Sequence, residues 1–448
     1  MTIVKFILAI VIACALSFSA TAQKTLTLDD CIGLALENNI ALKRANNNAL
    51  IAKANRVQAM MNFLPSLQAN VNYDYYFGTF FDQNAARQVS ATTNSSGPGI
   101  QSNLSLFNGF SNHYTVKARD HLSDAAQSTI ENQKVQLRST ILGSYLNVVL
   151  DKENIKISNQ RIELLSAQLE REVKRESVGV GNLEQVYNFK SQLANEKLNL
   201  VTAENRLKSD KLQLLQALGL DDLSSYQVAQ YNIDESELLI NAESYDNVLK
   251  SSMDFSPGIS LAKSNVLASK YGFKIAKASY LPRISLFGIF GSNYSSNGAL
   301  NPETGVFENE VGFFDQMGFN KYKYINFSMN IPIFSNWRNR TQVQTAKINL
   351  INSELALREA ELTVSNTIQA VYLDLVAAQS TYEAAQENLI ALNQSYEFVK
   401  TRYDNGNTDF FTYLESLNNK NSAEIQLVNA KYSIVFRKKI LDIYKGMN

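Results

Sequence analysis

The sequence has few of the residues that interrupt or crosslink a chain. Its 448 residues include 19 Gly, 6 Pro and 2 Cys, which is too little Gly and Pro for a large sandwich of short strands and tight turns. Lys and Arg together number 42, and Asp and Glu also number 42, so the chain lacks the basic surface that nucleic-acid binding requires. The composition therefore predicts long uninterrupted elements and no nucleic-acid partner.

Residues suited to catalysis or metal binding are scarce as well. No cluster of Cys, Asp or Glu gives the two histidines, His113 and His121, the spacing of metal ligands. The sequence contains no Walker A loop, no G-x-S-x-G elbow and no H-E-x-x-H helix. We therefore predict no enzymatic activity, no metal site and no cofactor, and we interpret both histidines as polar residues at an interface.

The N-terminus has the pattern of an export signal. Lys5 lies at the start of an apolar run that ends in the small-residue site ATA before Gln23, which predicts a signal peptide over 1–22. Alternatively, the segment VIAC, which ends at Cys14, is a lipoprotein acylation site. Without the signal peptide Cys31 is the only cysteine, so no intramolecular disulfide is expected. No later window holds the ~20 apolar residues of a transmembrane helix.

Helical and strand periods alternate along the mature chain. Thr27, with Asp30 three residues later, resembles a helix N-cap, and the apolar spacing predicts a helix over about 28–62. This helix ends at Pro65, because the residue before a proline is pushed out of the α region. The period then becomes two, which predicts one strand pair over about 66–108. The apolar row of this pair is Leu67, Ala69, Val71, Tyr73, Tyr75, Ile100, Leu104 and Leu106.

A ladder of heptads follows the strands. From 111 to about 175 the chain has no proline, and apolar residues recur mostly at intervals of seven, as in a long coiled-coil helix. Gly179 and Gly181 end this helix, and a second helix over about 183–218 runs back, which predicts a helical hairpin with its tip near 178–182. The ladder consists of Leu137, Ile141, Val148, Ile155, Ile162 and Leu169.

The second half of the sequence repeats this order of elements. A helix ends before Pro282, which like Pro65 marks a predicted helix-to-strand junction, and a strand pair is predicted over about 283–334. An apolar spacing of alternating fours and threes then predicts a helix over about 336–403, with a hairpin tip near 404–408.

The spacing between matching features indicates an internal duplication. Pro65 and Pro282 are 217 residues apart, whereas Gly179 and Gly406 are 227 apart, so the difference lies in the loop between the strands. We interpret the chain as two repeats, at 23–220 and 221–448.

The predicted strands are suited to the wall of a membrane barrel. Each has about ten residues, close to the ~9–11 that cross a bilayer at a tilt. One row is apolar and aromatic and the other is Asn, Gln and Ser, as between lipid and water. A half-buried sheet of a soluble protein is the alternative, but the export signal and the aromatic cluster at 73–81 favour the membrane. Four strands cannot close a barrel, because small barrels have about eight, so the chain must form an oligomer.

These residues resemble the TolC family of outer membrane efflux proteins. The start LTLDDCIGLALENN is similar to the family's opening helix, the two Leu-Pro junctions resemble its paired strand hairpins, and LFNGF and IFSNW resemble its strand exits. Across the mature chain, the resemblance implies a mixed α and β membrane protein. It further implies a homotrimer with a 12-stranded transmembrane β-barrel, four strands per chain, continuous with a long α-helical coiled-coil periplasmic tunnel.

The resemblance also implies a location, a function and partners. The protein would lie in the outer membrane, extend into the periplasm and form the exit duct of a tripartite efflux pump or a type I secretion system. Its partners would be two further copies of itself, a periplasmic adaptor, an inner-membrane RND or ABC transporter and outer membrane lipid. A duct lined by Asn, Gln and Ser would select little, so no particular cargo is predicted.

The family docks its adaptor at the hairpin tips, often through the sequence Val-Gly-X. The first tip fits this pattern, and the second retains only its glycine. With or without docking, both glycines are interpreted as helix C-caps that need a positive φ. The two tips read Val178, Gly179 and Val180, and Asn405, Gly406 and Asn407.

The resemblance places a periplasmic pore entrance just after the second tip. Aligned on Gly406, two positions that are acidic in some family members are Thr412 and Glu415, so one carboxylate is present. Three copies of Glu415 would form an anionic ring that favours cations; alternatively, it is a solvated helix residue. Tyr403 matches a position that holds the mouth shut, or it is a core residue at the end of the heptads.

Two other protein classes are compatible with part of the pattern. A periplasmic adaptor-like protein would carry one long helical hairpin between β-rich halves, and this chain has two hairpins and two strand pairs. A structural coiled-coil protein would explain the heptads but not the amphipathic strands.

Overall fold

The computed structural model describes residues 24–82, 86–90, 92–220, 226–238, 243–301, 304–308 and 311–447. The predicted signal peptide and Cys14 lie outside these residues. Contacts divide the chain into two units, which are described separately. Unit 1 contains the residues up to Asn47, Ser128–Ile259 and the chain from Ala360 onward, and unit 2 contains Asn48–Gln127 and Ser260–Glu359. Each unit combines segments from both predicted repeats, and the repeats themselves stay a prediction.

Helices make up most of the described chain. In chain order they are α1 Leu28–Asn38, α2 Ile40–Met61, α3 Ser111–Ser177, α4 Leu183–Ala217, α5 Tyr245–Phe255, α6 Pro257–Ala278, α7 Phe313–Phe319, α8 Arg338–Asp404 and α9 Phe410–Tyr444. α3 and α8 have 67 residues each, and α4 and α9 have 35 each, which confirms the four long helices predicted from the apolar ladders. Of the described helices, none is both long enough and apolar enough to cross a membrane.

The single helix predicted over 28–62 is wrong, because the chain forms two helices that meet at Asn39. The Asn39 backbone leaves the α region, and its side-chain oxygen accepts the N–H of Leu42 at 3.1 Å. An asparagine that satisfies a free N–H in this way starts a new helix. The predicted cap at the start of α1 is confirmed, since Thr27 and Asp30 form a reciprocal capping box.

Thirteen short or medium strands lie in the described chain. They are β1 Lys24–Leu26, β2 Ser66–Asn70, β3 Tyr73–Tyr76, β4 Thr79–Asp82, β5 Arg87–Ser90, β6 Thr93–Ser96, β7 Gly99–Asn108, β8 Tyr226–Val228, β9 Arg283–Gly291, β10 Tyr294–Ser295, β11 Ala299–Leu300, β12 Phe307–Glu308 and β13 Tyr322–Asn330. The largest sheet has four antiparallel strands in the order β13-β9-β7-β2. This sheet belongs to unit 2 and joins the two predicted strand pairs through the pairing of β7 with β9.

The first strand pair differs from the continuous strand predicted after Pro65. β2 ends at Asn70, and the chain resumes pairing at Tyr73 in a second sheet with the order β10-β6-β3. At the break, the carbonyl of Asn72 accepts a hydrogen bond from the Ser96 hydroxyl at 2.7 Å in place of a ladder amide. A side chain thus interrupts the ladder, which a period-two pattern does not reveal.

The free edge of this second sheet is covered within the chain. The side-chain amide of Gln316, in α7, accepts the N–H of Ser295 at 3.0 Å and donates to the carbonyl of the same residue at 2.9 Å. The amide occupies the place of a neighbouring strand, so α7 protects the edge of β10.

The core of unit 1 surrounds the first helix. Apolar residues of α1, α3, α4 and α9 pack together there with the parallel pair β1 and β8. Cys31 is fully buried in this core as a free thiol. Tyr145 and Phe436 are fully buried in this core, and their rings stack with centroids 6.4 Å apart.

Candidate functional site

The first hairpin tip is a tight turn built around Gly179. Gly179 has φ +77, its N–H donates to the Glu176 carbonyl at 2.9 Å, and the N–H of Val180 donates to the Arg175 carbonyl at 3.0 Å. These bonds close the end of α3, so the glycine is the predicted C-cap with positive φ. Val178 and Val180 are 71% and 68% exposed, so the tip presents two apolar side chains to solvent.

The second tip has the same backbone and different chemistry. Gly406 has φ +71, its N–H donates to the Tyr403 carbonyl at 3.0 Å, and Asn407 donates to the Arg402 carbonyl at 2.7 Å. Both flanking residues, Asn405 and Asn407, are exposed. This tip therefore presents amides where the first presents valines.

Tyr403 lies in a buried aromatic cluster just above the second tip. Its ring stacks on Tyr413 with centroids 4.7 Å apart and an interplanar angle of 14°. Its hydroxyl donates to Oε1 of Glu172 at 3.3 Å. Burial raises the pKa of Tyr403 to about 12, and the nearby Glu172 carboxylate contributes to the shift. The tyrosine is therefore a neutral donor near pH 7.

Glu172 makes this cluster a junction between α3 and α8. Its side chain is 1% exposed and lies 3.3 Å from Nη1 of Arg175 and 3.5 Å from Nε of Arg171. Arg171 in turn places Nη1 2.7 Å from Asp404 and its guanidinium carbon 5.7 Å from the Tyr403 ring centroid. A buried carboxylate needs such partners, and two arginines of its own helix supply them. α8 adds the Tyr403 hydroxyl to Glu172 and the Asp404 carboxylate to Arg171.

Sequence reasoning missed Glu172 and Arg171. A signal was available, because Glu172 follows Leu169 by three residues and so occupies a core position of the heptad ladder. A charged residue at such a position is costly unless it is paired, which marks it as a candidate for a specific contact.

The other two residues of the predicted pore entrance lie apart from this cluster. Thr412 lies in the first turn of α9, where its N–H and its hydroxyl both donate to the capping residue Asp409, at 2.9 and 2.7 Å. Glu415 is exposed on the same helix. The structure thus places Tyr403 in the core, Thr412 at a helix cap and Glu415 at the surface, and their predicted role at a pore entrance stays a prediction.

The two helix-to-strand junctions lie at the predicted prolines. α2 ends at Met61 and α6 at Ala278, and after one turn of chain each leads through a proline, Pro65 or Pro282, into a strand of the four-stranded sheet. After each strand pair the chain reverses through left-handed backbone, at Gly109 and Phe110 and at Asn336 and Trp337.

The register of the four-stranded sheet sorts its side chains into two faces. Paired residues of antiparallel strands point to the same side, as the contacts of Gln101 with Gln68 (3.1 Å) and of Ser285 with Ser328 (2.7 Å) illustrate. A bulge at Leu106 shifts the alternation of β7 by one residue, so Phe107 pairs on the apolar face, and the prediction that Leu106 belongs to the apolar row is wrong. The apolar face contains Leu67, Ala69, Ile100, Ser102, Leu104, Phe107, Ile284, Leu286, Gly288, Phe290, Lys323, Ile325, Phe327 and Met329.

The opposite side, which we call the polar face, is less uniform than predicted. Besides amides and hydroxyls, it contains apolar and aromatic residues of β9 and β13. These are Phe287, Ile289, Tyr322 and Tyr324, and the remaining members are Ser66, Gln68, Asn70, Gly99, Gln101, Asn103, Ser105, Asn108, Arg283, Ser285, Gly291, Asn326, Ser328 and Asn330. The glycines at 288 and 291 interrupt the pattern of β9, so the sequence did not reveal Phe287 and Ile289. The alternation of β13 does place Tyr322 and Tyr324 on the side of Asn326.

Metal chemistry has no support in the part of the chain that the structure describes. No group of three or more His, Cys, Asp or Glu residues could hold an ion there. His121 stacks on Tyr271 with centroids 5.6 Å apart, and its Nδ1 lies 3.6 Å from Asp124. His113 contacts the ring of Tyr114.

Comparisons with known proteins identify the family. The Outer membrane efflux protein family matches residues 31–220 and 248–439. The outer membrane protein TolC of Escherichia coli (strain K12) is 22% identical over 436 residues, which cover 96% of this chain and 84% of the relative.

Solved structures show the same fold. The outer membrane protein VceC of Vibrio cholerae has a TM-score of 0.79 at 16% identity, over 94% of this chain and 96% of that one. The CmeC outer membrane channel of Campylobacter jejuni has a TM-score of 0.74 at 20% identity, over 94% of this chain and 85% of that one. The family match covers most of the sequence and places the protein in the outer membrane. This chain belongs to the outer membrane efflux protein family.

Proposed function

We propose that the protein is the outer-membrane exit duct of a tripartite efflux pump or a type I secretion system. The observation that carries this proposal is the incomplete four-stranded sheet. Its edge strands, β2 and β13, each pair with one strand of the described chain, and its two faces differ in polarity. A sheet with one apolar face, one polar face and two open edges is suited to a barrel wall shared between chains.

Three copies of the chain would complete this wall. Four strands per chain and three chains give twelve strands, which exceeds the eight or so that a barrel needs. In that arrangement the apolar face contacts lipid and the polar face lines a water-filled lumen. The prolines at 65 and 282 then mark where tunnel helices pass into barrel strands.

A stripe of exposed apolar residues along α8 supports contacts between copies. Its members recur at multiples of seven, which is the spacing of a coiled-coil seam. They are Ile348, Leu355, Leu362, Val376 and Ile390, and each is at least 45% exposed in the single chain. A seam of this kind calls for a helix of another copy.

The hairpin tips are the proposed docking points for a periplasmic adaptor. Val178 and Val180 offer an apolar contact around Gly179, and the amides beside Gly406 offer hydrogen bonds. The adaptor in turn joins the duct to an inner-membrane RND or ABC transporter, which supplies the energy for transport.

The cluster around Tyr403 is the proposed closure of the periplasmic mouth. It ties α8 to α3 through Glu172 and Arg171, so opening would require these buried contacts to separate. Glu415, on the exposed surface of α9, is the proposed contributor to an anionic ring at the entrance.

Purification from outer membranes tests the proposal. We expect a trimer in detergent that dissociates on heating, and discrete conductance steps when it is inserted into planar lipid bilayers. A monomer that stays in solution without detergent and forms no conductance would overturn it, and would favour an adaptor-like or structural coiled-coil protein.

A further inference from the structure

The four-stranded sheet has few charged residues, and both of them are positive. All residues of its four strands are described, and they include two charged side chains. Arg283 lies on the polar face and Lys323 on the apolar face. In register, Arg283 pairs with the neutral amides Asn330 and Asn108. It takes part in none of the ion pairs found among the described residues, so its charge stands alone on that face.

The helices next to this end of the sheet add positive charge. α6, which leads into Arg283, has four lysines and no acidic residue. α8 carries Arg338, Arg340 and Lys347 before its first acidic residue, Glu354. Positive charge that surrounds a lumen raises the local concentration of anions, most strongly where the walls have a low dielectric constant.

An aromatic patch lies beyond Arg283 on the same polar face. Phe287 and Tyr324 have ring centroids 6.4 Å apart, and Ile289 is opposite Tyr324 in register. Tyr322 lies against Gly291, where its hydroxyl oxygen is 2.9 Å from the position of an added Cβ. Phe287 is four residues from Arg283, or roughly 13 Å along the strand, a gap that the long arginine side chain narrows.

Resting on the proposed duct, we propose that the polar face of β9 and β13 binds amphiphilic organic anions as they pass through the barrel. Arg283 attracts the anionic group, and the patch of Phe287, Ile289 and Tyr324 holds the apolar body. The rest of the polar face consists of amides and hydroxyls. These groups hydrogen-bond to water and would lose those bonds against the apolar part of a ligand, so they bind it poorly. Three copies would surround the lumen with a cationic ring beside an aromatic one.

Ion selectivity in planar bilayers gives the first test. Reversal potentials in a KCl gradient are measured for the wild-type trimer and for R283Q, R283K and K323Q. Each is also measured with E415Q, because an anionic ring at the mouth would act in series. We expect R283Q to lower the chloride-to-potassium permeability ratio by about twofold or more, and R283K to preserve it. K323Q removes a charge of the same sign from the opposite face and should change nothing.

Block of the current by naphthalenesulfonate, with benzyltrimethylammonium as the cationic counterpart, gives the second test. We expect the anion to block wild type, and R283Q, F287A and Y324A each to weaken the block roughly fivefold. Naphthalenesulfonate should block K323Q as strongly as it blocks wild type. Benzyltrimethylammonium should block wild type and all variants weakly and equally.

The outcomes separate the two proposals. If trimers conduct but R283Q and K323Q behave alike in both tests, anion binding at the polar face is overturned and the duct stands. If the purified protein forms no conductance at all, the duct is overturned and the anion site with it.

Discussion

Asp151 is a buried acidic residue of α3, in unit 1. Its side chain is 3% exposed, and one oxygen lies 3.2 Å from Nε of Arg206. Burial raises the pKa of Asp151 to about 6, and the neighbouring Asp210 carboxyl adds to the shift, while Arg206 opposes it. The partner arginine is mostly exposed, so its attraction is screened and does not repay the desolvation.

We expect the Asp151→Asn variant to be more stable than wild type at pH 7.5, by roughly 1–3 kcal/mol per chain. The unfolded carboxyl titrates near its usual pKa of about 4, so between pH 4 and 6 the folded protein holds a proton that the unfolded chain has lost. Wild-type stability therefore falls as the pH rises through this window, and the variant should lack that fall. Thermal unfolding from pH 4 to 8 measures it.

Glu204→Gln is the matched control for this prediction, because Glu204 is exposed on the same helix as Arg206. It should follow the wild-type pH profile. If the Asp151 variant also follows it, the carboxyl does not titrate in the folded state as described.

Tyr403 is either a core residue only or also part of the proposed closure of the mouth, and two substitutions of it help to distinguish these roles. Tyr403→Phe keeps the ring stacked on Tyr413 and loses a long hydrogen bond to a carboxylate that retains two arginines, so we expect a stability loss of about 1 kcal/mol or less. Tyr403→Ala also removes a buried ring and should cost ~3 kcal/mol or more. Denaturant unfolding measures both.

Bilayer conductance of Tyr403→Phe distinguishes the two roles. A higher conductance at nearly unchanged stability would assign the hydroxyl to closure of the mouth. Unchanged conductance would leave Tyr403 as a core residue and contradict its proposed role there.

At the scale of elements, the sequence best predicted those whose apolar residues recur at regular intervals. The long helices follow from apolar side chains at intervals of three, four and seven, because many residues contribute to each. Where one polar side chain decides the outcome, as at Asn39 between α1 and α2 or at Asn72 between β2 and β3, the pattern failed. Phe287 and Ile289 were missed because the pairing of β9 with β7 and β13, and not the sequence of β9, assigns them to the polar face.

The candidate site was predictable to a similar degree. The tip glycines were identified because a helix that reverses direction needs a left-handed residue at its end. The buried contact of Tyr403 with Glu172 was not, because it joins residues 231 positions apart. Such a pairing depends on how two hairpins pack, which a local period does not encode.

The two tips allow docking to be separated from helix capping. An added Cβ at Gly179 or Gly406 meets nothing within 4 Å, and asparagine tolerates the left-handed region better than other side chains. We expect Gly179→Asn to lower stability by less than about 1 kcal/mol and yet to reduce efflux, because it places an amide between the valines that an adaptor would contact. Dye accumulation in cells and thermal unfolding of the purified protein give the two readouts.

Gly406→Asn is the control on the second tip, where amides already flank the glycine. It should retain efflux. Equal efflux from both variants would argue that the first tip makes no contact of its own and that its glycine serves only as a cap.

At the scale of the whole molecule, two surfaces of the single chain lack a packing partner among the described residues. The four-stranded sheet has two open edges, and α8 exposes an apolar stripe at heptad spacing. Each would expose backbone groups or apolar surface to water in a solitary chain, at a cost that another copy would relieve. Assembly and membrane insertion should therefore be coupled, because the proposed barrel and the proposed helical seam would need the same three chains.

Leu355→Glu tests this coupling. Leu355 is 63% exposed in the single chain and lies within the stripe, so a buried, unpaired carboxylate at three symmetric positions should disfavour the trimer. Ala356→Glu adds the same charge at the next residue, also exposed but ~100° around the helix, and should leave the trimer intact. We expect Leu355→Glu to shift the species seen by light scattering in detergent toward monomer and to lower the amount of folded protein in the outer membrane. If both variants remain trimers of equal heat resistance, α8 does not form the seam, and contacts between copies must lie at the sheet edges alone.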